Sequence, residues 1–344
     1  MTPDNPVIQP ENPVLTGRRM PAEWEPHLGT WFSWPHNRDT WPTGLESAER
    51  ALALGIQLLA EGERVYVNVL SDDHARHVRN LTGSHDNLEF VTLPTNDAWC
   101  RDHGATWVYD ASGHRLAISW NYNAWGGKYP PFDLDRKVAA RMAAHVGDPV
   151  EHAGITFEGG AIETNGAGVI LTTASCLLNP NRNPGLYAAR AEALLERVLG
   201  ARHIVWLGGE LEGDDTDGHI DNLARFTNET TIVYPMAAND LPHRDGFLEN
   251  RDILSRCLPS HFLLREAPHP DPVHHAGVRL PASYMNFYIG NGHVLMPAYG
   301  GEKDEIMQEL LAELFPDREI APIPCVEIIR GLGAVHCLSQ QIPR

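Results

Sequence analysis

The sequence predicts an α/β protein built from five repeated units, each a β-hairpin followed by a helix and a further strand. Short apolar runs recur at spacings of roughly 50 to 85 residues, turn residues precede three of them, and amphipathic segments follow four of them. A doubly wound sheet also alternates strands and helices, but it does not require a hairpin before each helix. Five such units in 344 residues suggest a closed ring around one central site.

The elements follow from local pattern. Apolar runs predict central strands at residues 30–34, 116–120, 169–173, 231–235 and 294–297. The dipeptides Ser112-Gly113, Asn165-Gly166 and Asn291-Gly292 favour hairpin turns. Helical spacing of apolar residues predicts helices over residues 45–61, 134–146, 186–199 and 305–315, with further strands at 64–70, 203–207 and 320–323.

The chain shows no internal boundary. Residues 1–20 carry four prolines and little periodicity, which predicts an irregular N-terminal arm. No Ser/Gly run, charge block or shift in composition follows, so residues 21–344 are predicted to form a single catalytic domain. The N-terminus has neither a basic segment nor an apolar one, so no secretory signal is visible.

Composition excludes several classes of partner. Asp and Glu number 45 against 27 Lys and Arg, and the net charge of −18 argues against nucleic acid or an anionic membrane as a partner. No apolar run reaches the length of about 18 residues that a membrane span needs. The five cysteines are scattered and odd in number, which fits reduced thiols in the cytoplasm: Cys100, Cys176, Cys257, Cys325 and Cys337.

Four segments are dense in Asp, His, Glu, Gly and Trp, and none of them has a helical pattern. They cover residues 95–104, 157–160, 213–222 and 331–341. Cys337 is the candidate nucleophile, because glycines and His336 precede it and polar residues follow it, whereas the other four cysteines lack such surroundings or face a core. His219 and Asp221 would share one face of an extended chain, and a histidine suits proton transfer near neutral pH.

The remaining chemistry points to a cationic substrate. No zinc-type spacing, dinucleotide fingerprint, phosphate loop or nucleophile elbow is present, so we expect no metal and no cofactor. What is left is a cysteine, a histidine and a surplus of carboxylates. A carboxylate accepts two parallel N–H groups from a guanidinium, which makes that group the natural candidate. The carboxylates are Asp97, Asp102, Glu158, Asp214, Asp215, Asp217 and Asp221.

Several motifs together resemble the agmatine deiminase and bacterial-type peptidylarginine deiminase family of the guanidine-modifying (pentein) superfamily. The resemblance runs from Met20 to the C-terminus. It rests on the motifs Asn96-Asp97-x-Trp99-x-Arg101-Asp102-x-Gly104, Asn123-Ala-Trp-Gly-Gly-Lys128, Glu158-Gly-Gly160, Asn179-Pro-Asn-Arg-Asn-Pro184, Asp215-Thr-Asp-Gly-His-Ile-Asp-Asn222 and His336-Cys337-x-x-Gln-Gln341. It implies a five-bladed, pseudo-symmetric α/β propeller of ββαβ units around a central active-site channel.

The resemblance also implies roles. Cys337 would attack the guanidinium carbon, His219 would protonate the leaving ammonia and then activate water, and Glu158 would orient His219 by a hydrogen bond. Asp102 and Asp221 would hold guanidinium nitrogens. The predicted substrate-binding residues are Trp99, which would pack on the flat substrate head, Asp97, Asp215, Trp125 and Gly333.

The choice of substrate stays open at the level of sequence. Agmatine is favoured, because its amine could meet the acidic run 214–217, and its products would be N-carbamoylputrescine and ammonia. Free arginine would need a cation for its α-carboxylate, for which Arg101 and Arg225 are candidates. The alternatives are a deiminase of free, peptidyl or methylated arginine, and a non-catalytic binder of polyamines or guanidines. A homodimer is compatible with the sequence.

Overall fold

The computed structural model describes residues 17–208, 211–236 and 244–344. Over these residues the chain is a mixed α/β structure in which one order of elements occurs five times. In each unit two strands pair antiparallel, and a third strand pairs parallel with the second. Since parallel neighbours need a crossover connection, a helix lies between the second and third strands of every unit.

The described strands are, in chain order, β1 (His27–Ser33), β2 (Arg64–Val69), β3 (Leu88–Thr92), β4 (Thr106–Tyr109), β5 (Arg115–Asn121), β6 (Val150–Thr156), β7 (Glu163–Thr164), β8 (Val169–Thr173), β9 (His203–Leu207), β10 (Arg225–Asn228), β11 (Thr231–Pro235), β12 (Leu263–Ala267), β13 (His274–His275), β14 (Val278–Arg279), β15 (Tyr288–Ile289), β16 (His293–Ala298), β17 (Glu319–Pro324) and β18 (Ser339–Pro343). The described helices are α1 (Leu45–Gly62), α2 (Asp72–Thr82), α3 (Cys100–His103), α4 (Ala124–Gly127), α5 (Val138–Val146), α6 (Ala174–Leu177), α7 (Ala188–Leu199), α8 (Arg244–Cys257), α9 (Glu302–Leu314) and α10 (Val335–Leu338). Short 3₁₀ turns occupy Asp135–Lys137, Gly159–Ala161, Ile220–Asn222, Tyr284–Asn286 and Ile328–Gly331.

The first unit joins the two ends of the described chain. Strand β18 pairs antiparallel with β1, and β1 pairs parallel with β2 across helix α1. The other units are β4–β5–α5–β6, β7–β8–α7–β9, β10–β11–α8–β12 and β15–β16–α9–β17. Strand β3 extends the first sheet beyond β2, and β13 and β14 form a separate ribbon.

The predicted strands and hairpin turns are confirmed, with bounds that differ by a few residues. The turn dipeptides lie between β4 and β5, between β7 and β8, and between β15 and β16. The sequence did not predict α2, β3 or α8. Helix α8 is rich in charged residues and buries a stripe that includes Phe247, Ile253 and Leu254, so its apolar signal is weak.

The end of the predicted N-terminal arm is fixed to the fold. Arg19 pairs with Tyr109 in an isolated bridge, and the Met20 amide donates to the Leu199 carbonyl at 2.9 Å. Residues 1–16 of the arm lie outside the described residues. Among the helices that the structure describes, none combines the length and the apolar character needed to cross a bilayer.

Five short helical turns position the candidate site. Each one directly precedes the first strand of a unit: α3 precedes β4, Gly159–Ala161 precedes β7, Ile220–Asn222 precedes β10, Tyr284–Asn286 precedes β15, and α10 precedes β18. These turns pack against one another in cyclic order, and α10 closes the cycle by packing on α3. The turns, or the residue just before them, carry Asp102, Glu158, His219, Asp221, Asn286 and Cys337.

Candidate active site

A cavity of about 670 Å³ has Cys337 and Asp102 in its wall. All five predicted substrate-binding residues line it, and aspartates are frequent in its wall. The cavity is lined by His36, Asn37, Arg38, Asp39, Thr40, Asn96, Asp97, Trp99, Asp102, Tyr122, Ala124, Trp125, Tyr129, Pro130, Pro131, Asp135, Asp215, Thr216, Arg330, Gly331, Leu332, Gly333 and Cys337. His219, Asp221 and Glu158 are fully buried beside this wall.

Asn286 holds the candidate nucleophile. Its Nδ2 donates to Cys337 Sγ at 3.1 Å, and its Oδ1 accepts from the backbone amides of His336 and Cys337 at 3.2 and 3.3 Å. One buried amide therefore fixes both the thiol and the main chain of α10. No sequence pattern marked Asn286 in advance, although its place before the first strand of a unit matches that of the other site residues.

Two carboxylates flank the site. Asp102 accepts from Trp125 Nε1 and from the Gly160 amide, each at 3.0 Å. Asp221 Oδ2 accepts from His336 Nδ1 at 2.7 Å and lies 3.6 Å from Cys337 Sγ. Asp221 Oδ1 is buried without a hydrogen-bond partner among the described residues. Hydrogen bonds hold both carboxylates in place, and Asp221 Oδ1 has no donor among the described residues.

His219 lies between carboxylates without a hydrogen bond to either. Its Nδ1 is 3.8 Å from Asp102 Oδ1, and its Nε2 is 3.7 Å from Glu158 Oε2. Neither ring nitrogen has a hydrogen-bond partner among the described residues. The hydrogen bond expected from Glu158 to His219 is therefore absent from this geometry, although the two groups are close enough to interact electrostatically.

His219 and Asp221 do not share a strand face. His219 is extended, but Asp221 lies in the 3₁₀ turn Ile220–Asn222. The turn, and not a two-residue alternation, brings both side chains to the site. The extended geometry considered in the sequence analysis was therefore wrong for this segment, because the chain turns before β10 begins.

Burial and charge perturb the protonation of the site. Burial raises the pKa of the Cys337 thiol well above its usual range, and the charges of Asp221 and Asp102 raise it further. Burial also raises the pKa of Asp102 to about 6, an effect that nearby His219 opposes. Burial lowers the pKa of His219, but the charge of Asp102 and contacts with Cys176 and Glu158 outweigh it and hold that pKa well above its usual value. These shifts favour a thiol at Cys337 and an imidazolium at His219.

Glu158 belongs to a second buried pair. Arg182 Nε donates to Glu158 Oε1 at 2.7 Å, and both side chains are buried. Burial opposes ionisation of Glu158, yet His219 and Arg182 lower its pKa below the usual value. Cys176 Sγ lies 3.5 Å from Glu158 Oε2. Cys176 is buried as expected, but the expectation that it has no acid–base neighbours was wrong.

The donor atoms of Glu158, Cys176 and His219 all lie within 4.8 Å of one another. Such a set could in principle hold a metal ion. Here, Arg182 already neutralises Glu158, and burial raises the pKa of the Cys176 thiol to about 11. This arrangement is better suited to holding His219 between polar groups.

Glycines shape the wall around Cys337. A Cβ added at Gly333 would lie 2.4 Å from Trp99 Cζ3 and 3.1 Å from Cys337 Cβ. Trp99 in turn packs on Trp41, with ring centroids 5.4 Å apart. Gly333 thus lets the indole of Trp99 lie next to the nucleophile, which explains why this position needs a residue with no side chain.

The three aspartates of the run 214–217 have different roles. Asp214 accepts from Thr216 and the Gly218 amide and so stabilises its own loop. Asp217 pairs with Arg182 and with Lys128. Of the acidic residues in this run, only Asp215 lines the cavity, where it accepts from Tyr129 Oη. The prediction that the whole run faces the substrate was therefore too broad.

Arg101 and Arg225 both form ion pairs with buried carboxylates. Each is buried, and each donates to Glu23, at 3.0 and 2.9 Å respectively. Arg225 also donates to Glu163 at 2.8 Å. Neither lines the cavity. The arginines considered as partners for an α-carboxylate are thus part of a buried ion-pair network.

The fold is that of solved deiminases. The structure superposes on a C. jejuni agmatine deiminase solved with substrate bound, with a TM-score of 0.88 and 28% identity, covering 95% of this chain and 96% of that one. It also superposes on an agmatine deiminase of Enterococcus faecalis, with a TM-score of 0.88 and 27% identity, covering 98% and 99% of the two chains.

Sequence comparison identifies the family to which the chain belongs. Residues 19–343 match the model of the Porphyromonas-type peptidyl-arginine deiminase family, and the chain belongs to that family. A Legionella pneumophila protein named "Putative agmatine deiminase" is 36% identical over 340 residues, covering 96% of this chain and 97% of that protein. The resemblance drawn from the motifs is therefore confirmed.

Proposed function

We propose that this protein is an agmatine deiminase, a hydrolase that converts agmatine and water to N-carbamoylputrescine and ammonia. The observation that carries the proposal is the thiol of Cys337 in the wall of an acidic cavity, with Asp102, Asp221 and His219 around it. The names of the relatives and of the matching structures support the same reaction.

In the proposed mechanism, Cys337 thiolate forms a C–S bond to the guanidinium carbon. His219 gives its proton to the terminal nitrogen, the C–N bond breaks, and ammonia leaves an amidino-cysteine adduct. His219, now neutral, takes a proton from water as the water oxygen bonds to the same carbon. The C–S bond then breaks as the remaining hydroxyl proton passes to bulk water, where the released ammonia takes it up, and this returns the thiolate and releases the neutral ureido product.

Asp102 and Asp221 would bind the guanidinium and hold its carbon near the sulfur. Positioning of this kind can contribute up to about 7–11 kcal/mol to a rate enhancement. The same cation would also oppose the negative charge around Cys337. Its charge would offset the two carboxylates that raise the pKa of Cys337, so that substrate would favour the thiolate that attacks it.

Agmatine is the substrate that fits the charges best. It is a dication, and the cavity wall includes Asp39, Asp97, Asp135 and Asp215. Burial raises the pKa of Asp97, and it raises that of Asp135 to about 7. A bound ammonium group would favour the ionised forms of both. The arginines that line the cavity, Arg38 and Arg330, are paired with Glu46 and Glu327.

The architecture that we propose for this site is a closed five-bladed propeller with the cavity at its centre. Two features support it. The five ββαβ units occur in sequence, with β18 completing the first of them, and the five short turns contact one another in a cycle. The site residues come from these turns, so each unit would contribute to one central channel.

The test of the reaction is ammonia release with agmatine, arginine, a dipeptide ending in arginine, and methylated arginine. Wild type, Cys337→Ser and Cys257→Ser are compared, the last because Cys257 is a buried cysteine in α8 away from the cavity. We expect turnover of agmatine above the others, lost only in Cys337→Ser. Turnover of another guanidine instead would show that the enzyme has a different substrate. Tight binding of agmatine without turnover would favour a non-catalytic binding protein.

Activation of the Cys337 thiol by a bound cation is tested by comparing inactivation with a cationic haloacetamidine and with the neutral haloacetamide of the same shape. The cationic reagent carries the charge that favours the thiolate, so we expect it to alkylate Cys337 much faster than the neutral one. Equal rates for the two reagents would rule out activation of the thiol by the bound cation.

A further inference from the structure

His336, the residue before the candidate nucleophile, lies between two carboxylates. Its Nδ1 is 2.7 Å from Asp221 Oδ2, and its Nε2 is 2.9 Å from Glu23 Oε2. The side chain is buried, with 1% of its surface exposed. An ionised carboxylate only accepts hydrogen bonds, whereas a neutral imidazole has a single N–H to donate. Two such bonds therefore require both ring nitrogens to carry a proton.

The two carboxylates are themselves ionised. Burial opposes the ionisation of Glu23, but Arg225, His336 and Arg101 outweigh burial and hold its pKa well below the usual value. Burial opposes ionisation of Asp221 too, and the hydrogen bond and charge of His336 again lower the pKa. Charges other than that of His336 also favour both ionised forms, from Arg225 and Arg101 at Glu23 and from His219 and Arg225 at Asp221. Both carboxylates are therefore expected to accept, and the ring to donate from both nitrogens.

Glu23 is a fixed anchor for this cation. Its Oε1 accepts from Arg225 Nη2 and from the Ile289 amide, each at 2.9 Å, and its Oε2 accepts from Arg101 Nη2 at 3.0 Å. Arg101 Nη1 also donates to Gln341 Oε1 at 2.7 Å, in the strand after α10. Four donors from separate parts of the chain therefore hold one carboxylate, counting His336.

His336 also fixes the orientation of the Asp221 carboxylate. His336 occupies Oδ2, the oxygen that lies 3.6 Å from Cys337 Sγ, while Oδ1 has no hydrogen-bond partner among the described residues. A hydrogen bond from a cation is shorter and stronger than one from a neutral donor, so it fixes the rotation of the carboxylate. Oδ1 is thereby left for an N–H group of the substrate.

We propose that His336 is a positioning residue: its ring donates from both nitrogens to Glu23 and Asp221, orients Asp221 toward the guanidinium and leaves proton exchange to His219. The two histidines near Cys337 thus have separate tasks. Among the residues that the structure describes, neither ring nitrogen of His219 has a hydrogen-bond partner, so this ring can gain and lose a proton, whereas His336 has an acceptor at both nitrogens. This part of the proposal rests on the proposed deiminase function.

Two substitutions separate the two bonds of the ring. In His336→Asn the side-chain amide lies near the position of Nδ1 and can still donate to Asp221. In His336→Gln the amide reaches the position of Nε2 and can donate to Glu23 instead. Both variants remove the cation and disturb the same buried network, so each is the stability control of the other.

We expect kcat/KM for agmatine to fall roughly 10- to 100-fold further in His336→Gln than in His336→Asn, the range of one charge-assisted hydrogen bond. We also expect the acid limb of the pH profile to move to higher pH in His336→Gln, because Asp221 loses its strongest donor while His219, Arg225 and Cys337 still face it. Equal losses in both variants, in proportion to their loss of thermal stability, would show a merely structural role.

The charge state is tested without turnover, by nitrogen NMR of wild-type protein labelled at histidine. One histidine signal with imidazolium shifts at both nitrogens should be absent from both variants but retained in His219→Gln, since His219 is expected to give an imidazolium signal of its own. A neutral ring at His336 would overturn the inference even if agmatine is the substrate. Conversely, an imidazolium in a protein that does not deiminate agmatine would uphold the charge state and refute the proposed function alone.

Discussion

Gly160 lies at the meeting point of the candidate catalytic groups. A Cβ built on it would be 2.6 Å from His219 Nδ1, 2.8 Å from Asp102 Oδ1 and 3.2 Å from Asp221 Oδ2. The backbone of Gly160 is not left-handed, so alanine could adopt it without strain. The effect of Gly160→Ala should therefore come from the added methyl group alone.

The size of the effect follows from these distances. Ordinary contact begins near 3.4 Å, so His219 and Asp102 would each have to move by about 0.6–0.8 Å. A displacement of about 1 Å at a reacting group can cost about 100-fold in rate. The same overpacking should destabilise the fold by about 1–3 kcal/mol, which leaves the protein folded. Loss of activity should thus greatly exceed loss of stability.

The assay is steady-state agmatine turnover together with thermal unfolding of wild type, Gly160→Ala and Gly246→Ala. Gly246 is a matched control because it lies in α8, and a Cβ there would meet none of the described residues within 4 Å. That substitution should keep full activity and stabilise the helix by about 0.5–1 kcal/mol. A Gly160→Ala variant with kcat/KM within about threefold of wild type would show that His219, Asp102 and Asp221 do not need the space beside Gly160 for catalysis. A threefold change corresponds to less than 1 kcal/mol.

Three further predictions concern charge. Burial raises the pKa of Asp102 to about 6 from an unfolded value near 4, so stability falls as the pH rises from about 4 to about 6, and the full loss, about 3 kcal/mol at most, is present above pH 6. Asp102→Asn should therefore unfold at a higher temperature than wild type at pH 7 yet lose turnover, and the wild-type kcat/KM should fall as the pH drops through 6; a less stable variant would contradict the sign. Arg182→Met leaves Glu158 buried and unpaired, which should destabilise the fold by about 3–5 kcal/mol in denaturant unfolding, while the exposed Arg190→Met should change little. Asp215→Asn keeps an acceptor for Tyr129 but removes a charge from the cavity wall, so KM for agmatine should rise about tenfold with kcat nearly unchanged; the same KM in this variant as in the exposed Asp86→Asn would remove Asp215 from substrate binding.

The repeated structural unit and the chemically reactive residues could both be predicted from local sequence. Apolar runs, Asn-Gly turns and amphipathic segments depend on neighbours in the chain, so they predicted four of the crossover helices and the central strands. The thiol, the histidine and the surplus of carboxylates were likewise visible as dense polar segments, because few other side chains can perform that chemistry. The fifth crossover helix, α8, was missed because its buried stripe is diluted by charged residues.

Tertiary structure decided the tasks of those residues and supplied their partners. Glu23 meets His336 across 313 positions of the chain, and Asn286 reaches Cys337 across 51. No local pattern marks such contacts, since an isolated Glu or Asn in a loop is ordinarily exposed. The same is true of Gly160, whose importance depends on atoms from other turns.

The sequence by itself determined which reactive groups the protein contains and that its net charge is negative. Only the tertiary structure decided which carboxylate faces the cavity and which is neutralised: Asp215 lines the cavity, while Asp217 pairs with Arg182. It also decided that Arg101 and Arg225 are unavailable to a substrate carboxylate. The physical reason is that burial makes the protonation and orientation of each group depend on charges within a few ångströms, and folding alone brings those charges together.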